Sequence, residues 1–335
     1  MTDTIQKRKT SHIEVCLERD VERGSPWDAV RLPHRAFPEL DRDGVDTRAG
    51  FLGRRLRVPL LIGSMTGGTG DAGQLNRRLA EAAQRCGVGL CLGSQRVMLD
   101  RDELAETFRV REQAPDVPLV ANLGAVQLKL GVTPAQARSL VDRVEADGLV
   151  LHLNPAQEVV QEGGDTAFAG LHARLAEALP EIGVPCGIKE VGSGFGRDDV
   201  ARLAQLPLAF VESAGRGGTS WPLVEGLRGE REATRRLGAA LADWGYTSVE
   251  SLTHCVEGLS GVTVVASGGI RSGVDAARAI ALGADLVAMA LPMLRAAARS
   301  TQAVVDEIEA FEGELRAALF LTGSRDLRAL RGRAL

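Results

Sequence analysis

Eight short apolar runs recur between residues 58 and 292, and all but the last end in glycine or polar residues. They are VPLLIGS (58–64), VGLCLGS (88–94), VPLVANLG (117–124), GLVLHLN (148–154), PCGIKEVG (185–192), LAFVESAG (208–215), VTVVASGG (262–269) and DLVAMALP (285–292). The runs are continuous, not alternating, so both faces of each strand are expected to be buried, as in a parallel sheet. The segments between them read as helices. AGQLNRRLAEAAQRCG places Leu75, Leu79, Ala82 and Cys86 near helical spacing and stops at Gly87. PAQARSLVDRVEADG (134–148) opens on a proline suited to a first helical position and also ends in glycine. SGVDAARAIALGA (272–284) sets Ser272 three residues before Asp275, like a capping box with Asp in place of Glu. Eight strand-helix units predict an α/β fold, a closed (β/α)8 TIM barrel, with an open doubly wound sheet as the alternative.

The segment 221–248 is long enough for both a loop over the barrel mouth and a helix. Residues 1–50 are charged with little periodicity, and read as an N-terminal arm over the mouth; 51–335 then form the single barrel domain. With 40 Lys and Arg against 44 Asp and Glu, the net charge is −4, so no basic field attracts nucleic acid or an anionic membrane. A small-molecule partner is expected. The five cysteines include no C-x-x-C pair, no apolar leader opens the chain, and no stretch approaches the roughly 18 apolar residues of a membrane span. A cytoplasmic protein with reduced thiols follows as the expectation.

In a barrel the strand ends share one face, and the chemistry is sought there. They supply Met65, Thr66 and Gly67, then Ser94, Gln95 and Arg96, Asn122, the HLNPAQE stretch, Lys189, residues 212–220, Gly268 and Gly269, and Ala290. Lys189 follows CGI in a core strand, where an unpaired ammonium is costly to bury. Its neighbour Glu190 points to the other face, so a bound anion or a carboxylate across the barrel is expected. SGGIRSG and AGRGGTS bring two glycine clusters to neighbouring loops, one ahead of a helix start, and together suit a bound phosphate. Arg8, Lys9 and His12 of the arm would engage a second phosphate group if the arm folds over the mouth. In HLNPAQE, strand alternation sends His152 and Asn154 to one side before Pro155 ends the ladder, with Gln157 and Glu158 following. The chain shows neither a nucleophilic triad spacing nor a zinc cluster. That set therefore suits proton handling or a hard, oxygen-ligated cation.

RKTSHIEVCL, GSMTGGT, LGSQR, ANLGAVQ, LHLNPAQE, GIKEVGSGF, GGTSW, SGGIRSG and LFLTGSRDLRAL together resemble, in order and position, the type 2 isopentenyl-diphosphate isomerases. These are FMN-dependent (β/α)8 barrels that interconvert isopentenyl and dimethylallyl diphosphate with reduced flavin and Mg²⁺. The resemblance implies that Met65, Thr66, Gly67, Ser94, Asn122, Lys189 and Thr219 contact FMN, with Gly268, Gly269 and Arg271 near its phosphate and Ala290 and Leu291 beside it. It implies that Arg8, Lys9, His12, Ser94, Gln95, Arg96 and His152 meet the substrate diphosphate. Gln157 and Trp221 would border the isoprene and Glu158 would ligate Mg²⁺, while Gln157, His152 and Asn154 form the catalytic set around a flavin that acts as acid and base. NADPH as reductant and a homo-oligomer complete the expectation.

Two stretches depart from the family's pattern: Glu162 and Gly163 stand where Pro and Glu are usual, and Glu212 to Arg216 differ ahead of GGTS. Another prenyl diphosphate as substrate stays open, as does a noncatalytic flavin-binding protein. An FMN-dependent 2-hydroxy-acid oxidoreductase is the further alternative. Such enzymes need a His base beside an Arg at a late strand end, and SAGRGGTS holds no His.

Overall fold

Each of the eight runs forms a strand, and the eight close into a parallel barrel. In the computed structural model, which describes residues 2–65 and 67–335 with side chains from residue 10 onward, a hairpin precedes them. It consists of β1 (Ala49–Phe51) and β2 (Arg54–Leu56). The barrel strands are β3 (Leu60–Ile62), β4 (Gly89–Cys91), β5 (Leu119–Gly124), β6 (Gly148–Leu153), β7 (Cys186–Glu190), β8 (Phe210–Glu212), β9 (Thr263–Ala266) and β10 (Leu286–Met289). Pairing of β10 with β3, Val287 opposite Leu60, closes the ring and excludes the open sheet. Thr66 and the side chains of Arg8 and Lys9 lie outside the described residues.

Alternation along the strands divides the barrel interior into layers. Leu61, Cys91, Val120, Val150, Phe210, Val265 and Leu286 fill the lower part, and Phe51 and Leu56 of the hairpin plug its N-terminal end. Gly187 belongs there because a Cβ would lie 2.4 Å from the Phe210 ring. Two residues further along the same strands the inward positions turn polar: Asn122, His152, Lys189, Glu212 and Ser267. A second apolar shell lies between the barrel and its helices.

Several element boundaries differ from the sequence reading. The helix expected over 134–148 spans Pro134–Arg143, capped by a Thr133–Gln136 box, and does not run to Gly148. Glu145 takes a positive φ of 52°, Asp147 turns inward, and Gly148 is already strand. The segment 221–248 holds two helices, Trp221–Arg228 and Glu232–Ala240, in place of an open loop. Gly226 and Gly238 permit their contact, since a Cβ on Gly226 would sit 2.9 Å from the Gly238 Cα. Only half of the Ser272–Asp275 box forms: Ser272 Oγ accepts from Asp275 N, whereas the Asp275 carboxylate accepts from Arg271 N at 3.0 Å.

The N-terminal segment begins as a helix, Thr2–Glu18, which packs on the helices Trp221–Arg228 and Leu291–Arg299. Residues 21–27 then cross both glycine-rich loops: Arg23 N donates to Gly218 O and Ser220 N to Val21 O, at 3.0 and 2.8 Å. The buried Trp27 donates its indole N–H to Gly268 O at 2.9 Å. No helix among the described residues is long and apolar enough to cross a membrane.

Candidate active site

At the C-terminal ends of the strands lies a cavity of about 250 Å³. It is lined by His12, Met65, Ser94, Arg96, Asn122, His152, Asn154, Gln157, Glu158, Lys189, Thr219, Trp221, Gly268, Gly269, Arg271, Ala290 and Leu291, all named from the sequence. Gln95 and Gly67 do not line it. Gln95 is fully buried, accepting from Asn122 N at 2.9 Å and directing its amide at Met98 Sδ and Leu140 O. It lies past the end of β4, and these hydrogen bonds turn it away from its neighbours Ser94 and Arg96. Gly67 is covered by Phe108, whose ring would lie 1.9 Å from an added Cβ.

The cavity floor carries the expected ammonium. Lys189 Nζ donates to Glu190 O at 2.7 Å and lies 3.5 Å from Glu212 Oε1, its register partner on the next strand; Glu212 also accepts from Ser267 Oγ at 2.8 Å. The carboxylate partner is therefore a neighbour, not a residue across the barrel, and it is one of the positions that depart from the family's pattern. The Glu190 side chain points the other way, where its Oε2 accepts the N–H groups of Val191, Gly192, Ser193 and Gly194. Burial pushes this carboxyl above its ordinary value against those four donors, which favour the charged form.

Along the side of β4 to β6, HLNPAQE builds a continuous polar network. Asn154 Nδ2 donates to Gln157 Oε1 at 3.0 Å and to Glu158 Oε1 at 2.8 Å, while Glu158 Oε2 accepts from Gln161 Nε2 and from Asp165 N. Asp165 in turn pairs with Arg96 at 2.5 Å and accepts from Gln127 at 3.0 Å. Gly164 makes this turn possible, since a Cβ there would lie 2.1 Å from Glu158 O. His152 is oriented through Nδ1, 2.8 Å from Asn122 Oδ1. At the other departure, Glu162 is tied by Thr234 Oγ1 to the helix Glu232–Ala240, and Gly163 adopts φ +70°.

The sequence reading missed Glu225. This carboxylate is 2% exposed, and its Oε1 lies 2.7 Å from both His12 Nε2 and Gln157 Nε2; Oε2 pairs with Arg228. Burial alone would raise its pKa, but the hydrogen bonds and charges of His12, Gln157 and Arg228 hold it below the ordinary value. His12 also packs edge-on against Trp221, ring centroids 5.3 Å apart, and so closes the mouth. Cys16 lines the same wall, its thiol pushed up to about 12 mainly by burial and hence neutral.

A phosphate-bearing group fits the opposite side. Gly268 and Gly269 have φ of +88° and +76°, and a Cβ on either would lie within 2.3 Å of the Gly215 or Gly217 carbonyl oxygens. Only glycine brings these two loops together ahead of the helix Gly273–Ala281, where N–H groups and the helix dipole favour an anion. The buried hydroxyl of Ser64, on the cavity wall, has no hydrogen-bond partner among the described residues, as expected for a group that awaits a ligand. Those residues contain no group of three or more His, Cys, Asp or Glu that could hold a metal, so a cation here would share its shell with a ligand.

Curated relatives named isopentenyl-diphosphate delta-isomerase match nearly the whole chain. The Synechococcus sp. protein is 48% identical over 98% of this chain and 95% of its own, and the Mycolicibacterium gilvum protein 46% over 98% and 96%. The Deinococcus radiodurans protein is 45% identical over 98% and 97%. The family described as FMN-dependent dehydrogenase matches residues 238–335. Among solved structures, a mandelate oxidase superposes with a TM-score of 0.64 at 19% identity, covering 97% of this chain and 93% of the other, a likeness of fold alone.

Proposed function

The chain belongs to the isopentenyl-diphosphate delta-isomerases, and from that premise we propose that it interconverts isopentenyl and dimethylallyl diphosphate with FMN in the cavity and Mg²⁺ on the substrate diphosphate. The observation that carries this reading is a single cavity with groups suited to an anion on two of its sides. The Gly268–Arg271 loop follows β9, whereas Ser94, Arg96 and His152 follow or end β4 and β6, across the ring. One side suits the cofactor phosphate and the other a diphosphate.

Reduced FMN supplies an electron-rich ring able to exchange a proton with an alkene and to stabilise positive charge developing on it. The chain's own residues do the rest. Lys189 offers a buried cation on the cavity floor, offset by Glu212. Gln157 is fixed at both ends of its amide, by Asn154 and by Glu225, so its position against an isoprene is set before substrate arrives. Glu158 offers a carboxylate for Mg²⁺, which typically takes one or two carboxylates plus phosphate oxygens and water. His12 and Trp221 exclude water from above. NADPH is proposed as the reductant that keeps the flavin active. The 2-hydroxy-acid oxidoreductase reading lacks its base, since residues 213–220 contain no His.

Anaerobic incubation with FMN, NADPH, Mg²⁺ and isopentenyl diphosphate is expected to give dimethylallyl diphosphate. Absence of product despite bound, reduced FMN would overturn the reading. In the same assay Glu158→Gln is expected to raise the Mg²⁺ concentration needed for half-maximal rate, and an unaltered titration would remove Glu158 from the metal.

A further inference from the structure

Glu22 occupies an unusual place for a carboxylate. It lies near the start of the 21–27 strap, paired in antiparallel register with Thr219, and its two oxygens hold two arginines. Oε1 meets Arg271 Nη2 at the cavity edge, and Oε2 accepts from Arg295 Nη1 at 2.6 Å, on the helix Leu291–Arg299. Arg271 is also the guanidinium beside the Gly268–Gly269 cradle, and its Nη1 is already engaged by Ile270 O at 2.9 Å. These contacts engage two of the five N–H groups of the guanidinium, and the Glu22 carboxylate draws its Nη2 end and its charge away from the cradle, so that Glu22 and a phosphate there compete for Arg271. The strap follows closely on the helix Thr2–Glu18, which carries His12, Ile13 and Cys16 on the cavity wall. The anchor of Glu22 thus bears on where that helix sits.

Building on the functional reading above, we propose that Glu22 is a positioning residue that links occupancy of the phosphate cradle to placement of the substrate-facing helix. Arg271 exchanges the Glu22 carboxylate for phosphate, and Arg295 retains Glu22 so that the strap stays closed. Two demands then oppose each other at one side chain. Glu22 competes with the cofactor phosphate, yet holds His12 over the substrate. A merely structural residue would weaken both kinds of binding when altered.

The test uses flavin-stripped full-length protein, titrated with FMN and, separately, with riboflavin, which lacks the phosphate. Glu22→Gln is expected to lower the Kd for FMN about twofold to fivefold, the range of a partly exposed ion pair, and to leave the Kd for riboflavin unchanged. With reduced FMN and Mg²⁺, the same variant should raise the KM for isopentenyl diphosphate while kcat holds within about twofold. Arg295→Gln, which leaves Glu22 to Arg271 alone, should raise the FMN Kd, and this effect should shrink in the Glu22→Gln background. An FMN Kd that is unchanged or higher in Glu22→Gln, or an unmoved KM, would overturn the inference alone. Wild-type protein that binds no FMN would overturn the functional reading and this inference with it.

Discussion

Glu225 joins two elements that have no other reason to meet: it accepts from Gln157 of the HLNPAQE turn and pairs with His12 of the N-terminal helix, while Arg228 balances its charge. Truncation would leave two half-buried donors and one guanidinium without this acceptor, at a cost of about 2–4 kcal/mol. Glu225→Ala is expected to destabilise the fold by that amount and, because Gln157 and His12 lose their shared anchor, to lower kcat/KM on the order of 100-fold, with a smaller loss for Glu225→Gln, which keeps one acceptor oxygen. Steady-state kinetics on folded variants would check this, and a loss below threefold would remove Glu225 from the site. Because its pKa is depressed, the stabilisation from this cluster is complete above the ordinary glutamate value of about 4.3 and is lost only as pH falls through the lower folded value. Glu225 was illegible in the sequence for a physical reason. In WPLVEGLR it reads as the exposed position of a short amphipathic helix, and only the return of residue 12 from over 200 positions away covers it. Gln95 shows the opposite error, since a polar residue between two cavity-lining ones turns inward to satisfy backbone groups.

At the scale of elements, the eight strands were legible because a residue buried on both faces leaves a continuous apolar run. The N-terminal helix was not: TDTIQKRKTSHIEVCLE has few apolar residues, since it caps a polar mouth, and among the described residues Ile13, Val15, Cys16 and Leu17 pack against the core. Helix ends were set by tertiary demands, as at Asp147, which leaves the helical register to accept Leu119 N at 2.8 Å and to pair with Arg54 and Arg111 at 2.7 and 2.8 Å. This carboxylate fastens the β1–β2 hairpin and the segment before β5 to the start of β6. Burial would raise its pKa, but the Leu119 N–H and the two arginines bring it below the ordinary value. Asp147→Ala is expected to destabilise the fold by about 2–4 kcal/mol, read as a lower urea midpoint at unchanged slope. The sign of the shift fixes its pH dependence. The difference from wild type should hold from pH 7 down to about 5 and contract only below the free aspartate value of about 3.9. A difference that grew on acidification would contradict the assignment.

The whole molecule separates these two kinds of residue by barrel end. Asp147 and the hairpin plug work at the N-terminal ends of the strands, while the glycine cradle, Lys189 and the HLNPAQE turn work at the C-terminal ends, with an apolar layer from Leu61 to Leu286 between them. Close-packed layers of this kind leave the two ends without shared partners, and effects at such sites add to within about 0.5 kcal/mol. Binding of FMN to the folded state alone stabilises it by about 2.7 kcal/mol at one hundred times its Kd. The expected result is that Asp147→Ala lowers the Tm of the apoprotein but leaves this increment intact. Gly268→Ala should act in reverse, because a Cβ would lie 2.1 Å from Gly215 O at a φ of +88° and push the two loops apart. It should abolish most of the increment. Thermal unfolding of wild type and both variants, each without FMN and with one common FMN concentration of about one hundred times the wild-type Kd, tests this. An increment that fell by more than about 1 kcal/mol in Asp147→Ala would mean that the hairpin end and the cavity share one structural transition, and the division of labour along the barrel axis would have to be given up.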